Sequence, residues 1–234
     1  MGKQPVFTMT AVVLGSVMRL HAAQVTISSD LGAGNTFQTG TANSWATGDG
    51  SNSANAVSFV VPSGQEYLLS QILVADNWFA GSASLVVGFY SGSNPNSATL
   101  LESFTIPTSD ATQFASTLFT LNSVQTPLLV GGNSYLIEES IPACGTASTC
   151  SNTWGWQWNN QAQTGYFAAF AGGTWFNETT LTPAFAVVGA QIPEPNYRVA
   201  LFMLVALMIF RRLRADRIRS VPGACMAHSQ AIWK

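Results

Sequence analysis

Past residue 55 the chain alternates between short apolar runs and clusters of Gly, Asn, Ser and Pro. Eight runs stand out, at residues 56–62, 66–75, 84–92, 100–107, 114–121, 133–140, 153–159 and 183–190. They are rich in β-branched and aromatic residues and bounded by turn formers, which is the composition of strands. Leu85, Val87 and Phe89 show a clean period of two, placing alternate side chains on one face. No window before residue 199 carries an apolar stripe at helical spacing. Short strands at this spacing predict an all-β domain, an antiparallel β-sandwich of jelly-roll or immunoglobulin-like kind.

At 234 residues the chain is long enough for one domain with a full core and too short for two of ordinary size. Charge changes the picture more than length does. Only 9% of residues are charged, and the nine Lys and Arg are Lys3, Arg19, Arg198, Arg211, Arg212, Arg214, Arg217, Arg219 and Lys234. Residues 24–192 therefore hold no Lys or Arg, and no His either. The same span holds nine carboxylates, Asp30, Asp49, Glu66, Asp76, Glu102, Asp110, Glu138, Glu139 and Glu178, for a formal charge of −9.

A domain with nothing to neutralise phosphates excludes nucleic acid as its partner. Ion pairs cannot form inside it, so each carboxylate must stay solvated, accept hydrogen bonds or bind a metal. Without His there is no Ser-His-Asp or Cys-His arrangement and no zinc site of the usual kind. No Gly-rich phosphate loop is present. Among enzymes only a paired-carboxylate glycosidase is left. The adjacent pair, Glu138 and Glu139, lies on one predicted strand and must point to opposite faces. The inventory predicts a protein that is not an enzyme and carries no cofactor.

The two ends read as addresses. Residues 1–23 have the form of a secretory signal peptide: Lys3, a mostly apolar run at 6–17, then "HAAQ" at 21–24 as the cleavage site. The exported domain would then be residues 24–191. At the other end, Pro193-Glu194-Pro195 precedes twelve apolar residues, 199–210, which Arg211, Arg212 and Arg214 terminate. As a helix the apolar run spans about 18 Å, against about 30 Å for a hydrocarbon core. Extension back through Tyr197, with Arg198 snorkelling, lengthens it. The arginines would hold the following end in the cytoplasm, and the two prolines fix an extended linker ahead of the helix.

In that order of parts, residues 192–214 are similar to the PEP-CTERM sorting signal of exported proteins in exopolysaccharide-producing Gram-negative bacteria. The resemblance implies a transient stay in the inner membrane, handling by an exosortase near the Pro-Glu-Pro, and a final place at the cell surface or outside the cell. Two features depart from the pattern. A basic tail, residues 215–234, continues past the arginines, and the apolar run is short with Arg198 just before it. The central region resembles the choice-of-anchor domains, the R type in particular, through "SFVVPSGQEYLLSQI", "SLVVGFYSGSNPNSATLLESF", "GGNSYLIEES", "GWQW" and "PAFAVVG". Those are extracellular β-sandwiches joined to differing sorting signals. They have no settled activity, so the resemblance implies fold and location and carries over no catalytic residue.

A few constellations remain. Cys144 and Cys150 enclose "GTAST", and in an exported domain they are predicted to form a disulfide. So small a ring stabilises by about 2 kcal/mol in the chain-entropy model. Cys225, in the tail, is predicted to be free. Trp154, Trp156 and Trp158 alternate, so on a strand their indoles face one way, about 7 Å apart. Two readings fit. The row is a core stripe with Gly155, Gln157 and Asn159 as the solvent face, or it is an exposed platform on which sugar rings stack. Trp45, Trp78 and Trp175 fall near Gly or Asn in predicted loops, where one or two could touch a ligand. "DGSNSAN" at 49–55 and "DLGAGN" at 30–35 offer oxygen ligands for structural calcium, without EF-hand spacing. The expectation is an exported, surface-anchored or released, non-enzymatic protein of the envelope or exopolysaccharide matrix. Its expected partners are an exosortase-type enzyme, the membrane through the C-terminal helix, and exopolysaccharide; a carbohydrate-binding module is the alternative, and a glycosidase stands behind it.

Overall fold

The longest strand among the described residues is also the spine of the fold. The computed structural model describes residues 23–39, 42–47, 53–141, 152–171, 173–192, 205, 207 and 208, with the backbone alone for 42–47 and 178–180. Two antiparallel sheets hold thirteen strands among these residues. They are β1 (Gln24–Ser29), β2 (Ala42–Thr47), β3 (Ala54–Val60), β4 (Glu66–Ala80), β5 (Leu85–Ser91), β6 (Thr99–Ile106) and β7 (Ser116–Asn122), then β8 (Leu128–Val130), β9 (Ser134–Ser140), β10 (Thr153–Gln157), β11 (Thr164–Ala171), β12 (Thr174–Leu181) and β13 (Phe185–Gln191). The all-β sandwich expected from the sequence is the fold. Its strand number exceeds the roughly seven to nine of an immunoglobulin domain and the roughly eight of a jelly roll.

β4 organises the seven-stranded sheet because its fifteen residues reach past any one neighbour. Ile72 pairs with both Val187 of β13 and Leu121 of β7, and Asp76 pairs with both Trp156 of β10 and Thr117 of β7. β13 and β10 therefore lie end to end along one edge of β4, with β7 and β8 along the other. A hydrogen bond from Ala184 N to Gln157 O at 2.8 Å joins the two abutting strands. The second sheet has the order β12-β11-β3-β9-β5-β6.

The core lies between the sheets. Val57, Phe59, Phe89 and Ile137 from the six-stranded sheet meet Ile72, Val74, Trp154, Trp156 and Phe185 from the other. Phe89 and Tyr135 stack at 5.7 Å, and Phe59 lies within 6.3 Å of both rings and of Phe185. A smaller cluster covers the outer side of the seven-stranded sheet, where Leu31 and Phe37 pack on Leu73, Ala75, Ala184 and Ala186. The segment carrying them is tied down by Gln38 N donating to Trp158 O at 3.0 Å and by the Thr182 hydroxyl donating to Asp30.

Several expectations fall outside the described residues: the signal peptide, the pairing of Cys144 with Cys150, Cys225, and the sorting residues Pro193, Glu194, Pro195, Arg211, Arg212 and Arg214. The chain forms one compact unit up to Ile192 and another from Pro193. In the second unit the described residues Val205, Leu207 and Met208 are helical. No helix among the described residues is long and apolar enough to cross a membrane.

Candidate functional site

The tryptophan row settles inward. Trp154 and Trp156 sit on β10 with 0% exposure, held by their indole N–H groups to Ala83 O at 3.0 Å and Ala184 O at 3.1 Å. Neither has a ring face to offer a sugar. Trp158 follows the strand, half-buried, edge-on to Phe167 of β11 at 6.0 Å. The expected solvent face is not one: Gly155 is buried, and Gln157 and Asn159 are 0% and 1% exposed. The physical reason is that this part of the sheet is overlaid by the 31–38 segment, and Asn159 is consumed by its own loop. Its amide N–H groups reach Gln163 O at 2.9 Å and Thr182 O at 2.7 Å, and its Oδ1 accepts from Gln161 N and Gln163 N. Trp45, Trp78 and Trp175, expected in loops, lie on β2, β4 and β12.

Two carboxyl groups meet in the core, and they are not neighbours in sequence. Glu138 and Glu139 do point to opposite faces of β9. Glu139 points inward, flanked in register by Asn55 of β3 and Val87 of β5. Asp76 faces it from β4 in the opposite sheet, flanked by Trp156 and Thr117. Asp76 is 0% and Glu139 1% exposed. With both ionised, Asp76 Oδ1 and Oδ2 and Glu139 Oε1 have no hydrogen-bond donor. A proton held by Glu139 and donated to Asp76 supplies one. Burial pushes the Asp76 carboxyl up to about 7. It pushes Glu139 well above the usual carboxylate range, and the charge of Asp76 pushes it further. Glycosidase carboxyls stand about 5–10 Å apart across an open cleft. These two face each other inside the core, closed to solvent, with no open cleft beside them.

The other buried carboxylate is structural. Glu102 accepts from Ser123 Oγ at 2.5 Å, Val124 N at 2.8 Å and Gln125 N at 3.1 Å, which fixes the turn after β7. Asp30, in one of the two proposed calcium-type loops, takes the Thr182 hydroxyl instead, and Gly32 bridges to Thr36 to close the turn. Of the other loop only residues 53–55 are described. Among the described residues no group of three His, Cys, Asp or Glu comes together.

The outer face of the six-stranded sheet carries aromatic rings together with polar side chains. One register row runs Val86, Ser140, Ala54, Phe170, Trp175 across β5, β9, β3, β11 and β12. The next row runs Gly88, Glu138, Ala56, Ala168, Asn177. Ala56, Leu136 and Ala168 have no exposed surface because Tyr90, Tyr166 and Trp175 pack over them. Those three rings keep part of their own surface in solvent. Gly88 is what lets Tyr90 settle, since a Cβ there would lie 2.5 Å from the ring. Burial and then the nearby Glu138 charge push the Tyr90 phenol up to about 12, and burial raises the Glu138 carboxyl. Sequence reasoning passed over this face because β11 and β12 were not predicted as strands, and no contiguous motif spells it.

No protein-family model and no curated protein matches the chain. Solved structures do. The cysteine protease and lectin-like domains of Cwp84, a surface layer associated protein of Clostridium difficile, align at 11% identity and a TM-score of 0.41, over 60% of this chain and 32% of that one. The clostridial cysteine protease Cwp84 after propeptide cleavage aligns at 12% identity and a TM-score of 0.43, over 63% of this chain and 37% of that one. The matched part is thus about a third of each neighbour's length.

Proposed function

We propose that the chain is an exported, non-enzymatic protein of the cell surface or exopolysaccharide matrix, sorted through its PEP-CTERM-like segment at 192–214. The observation that carries this reading is the partition of the chain. A β-sandwich whose residues 24–192 hold no Lys or Arg ends at Ile192, and Pro193 opens the unit that holds the arginine cluster. A sandwich core sealed by aromatic residues suits a module that is carried to a place and stays folded there. The one inward-facing carboxyl pair among the described residues, Asp76 and Glu139, is buried in the core away from any substrate, which favours a binding or structural role over hydrolysis.

The test uses the full chain with an epitope after Lys234, produced in a host that carries an exosortase. The expected outcome is loss of the epitope from the parent chain and appearance of the sandwich at the surface or in the medium. Pro193→Ala combined with Glu194→Ala should keep the epitope and leave the chain in the inner membrane. A parent chain that stays in the cytoplasm with its epitope intact sinks the proposal.

A further inference from the structure

Protein surfaces normally fill the solvent side of a sheet with charged and polar residues. The outer face of the six-stranded sheet does otherwise, pairing a floor of Ala56, Ala168 and Gly88 with the rings of Tyr90, Tyr166 and Trp175. We propose that this face is a saccharide site that takes a neutral glycan segment laid across β12, β11, β3, β9 and β5, with Trp175 and Tyr90 stacking on its rings and Glu138 binding its hydroxyls.

Three observations converge on that ligand class. The first is geometry. From β12 to β5 is four strand spacings, about 19 Å, a distance that suits a short run of hexose rings better than a single small molecule. A depression of about 300 Å³ opens beside Glu138, bounded by Ser53, Ser140, Phe170 and Trp175. Phe170 and Trp175 stand 5.3 Å apart and form its aromatic wall.

The second is donor and acceptor chemistry. Spread across the same strands, the face offers a carboxyl at Glu138, hydroxyls at Ser140, Tyr90 and Tyr166, and an amide at Asn177. Tyr166 Oη donates to Asn177 Oδ1 at 2.7 Å, which fixes that ring's orientation. Aromatic faces for the C–H side of a pyranose and mixed acceptors and donors for its rim are what a polyol ring requires. The third is charge. Residues 24–192 offer no Lys or Arg to hold a sulfated, phosphorylated or uronic acid chain, while Glu138 would repel one. A neutral glycan is the occupant those constraints leave. The site lies on the face opposite the Trp154 and Trp156 indoles and is independent of how the chain is sorted.

The experiment titrates the purified full chain, in mild detergent, with cellohexaose, mannohexaose and maltohexaose, following tryptophan fluorescence. Alginate hexamer and tetramethylammonium serve as anionic and cationic competitors for the same face. Saturable binding of at least one neutral hexasaccharide is expected, weakened at least tenfold in Trp175→Ala and in Glu138→Gln. Both variants should melt as the parent does. Should Trp175→Ala fail to fold, oxidative footprinting of the parent replaces it: Tyr90 and Trp175 should be protected by the sugar while Phe114, exposed elsewhere, is not. No saturable response to the three sugars, undiminished binding in both folded variants, unprotected Tyr90 and Trp175, or preference for alginate or tetramethylammonium overturns the assignment.

Discussion

Asp76 and Glu139 show what a single pair of residues can impose on a domain with no cation. The folded-state carboxyls lie above their unfolded values of 3.8 and 4.5, with Asp76 at about 7 and Glu139 well above its value. The folded protein therefore keeps protons that the unfolded chain has released. This contribution to stability is fully present below about pH 4 and is lost as pH rises through about 7, with the loss from Glu139 continuing higher. The two carboxyls titrate as a pair, so the loss belongs to both rather than to either alone. Asp30 and Glu138, raised by burial, tilt the curve the same way. Urea unfolding between pH 5 and 8 should show falling stability. Asp76→Asn with Glu139→Gln should flatten that slope, so that the double variant gains on the parent as pH rises to 8. A double variant with the parent's slope would place the pH dependence elsewhere. The lack of cations was legible in the sequence. That these two acids oppose each other was not, because they lie on different sheets, and no local pattern records a contact between sheets.

Strands repeat the lesson at larger scale. All eight predicted runs correspond to strands, since each is bounded by turn residues and packs one apolar face inward. β1, β2, β8, β11 and β12 went unpredicted. β11, "TGYFAAFA", is a case in point: its alanines have weak β-propensity, and Ala168 lies in the flat floor on which Tyr90, Tyr166 and Trp175 pack. In β10 the period of two was right for the indoles and wrong for the alternate positions. A central strand overlaid on its second face need not alternate polar with apolar. Trp156→Ala should cost about 3–5 kcal/mol in urea denaturation, because it leaves a cavity in the core and removes one of the two hydrogen bonds that Ala184 O accepts. Asn159→Ala should cost about 1–3 kcal/mol, because the loop and Thr182 lose their shared amide. Equal, near-zero losses in both variants would mean that β10 is not the structural element its burial implies.

At the scale of the whole molecule, charge sets the response to salt. Most folded domains mix attractive and repulsive pairs, and salt weakens both. Residues 24–192 carry nine carboxylates and no Lys, Arg or His, so screening there removes repulsion alone. Raising NaCl from about 10 mM to about 150 mM shortens the Debye length from about 30 Å to about 8 Å. Relief of order 1 kcal/mol would raise Tm by about 2–4 °C for a domain of this size. The buried Asp76–Glu139 pair is out of reach of the ions and should contribute nothing to that rise. Repeating the melts at pH 4.5, where the surface carboxylates are partly neutralised, should shrink the effect. A Tm that falls with salt at pH 7.5 would mean that attraction, not repulsion, dominates the electrostatics of the sandwich, and would overturn this account.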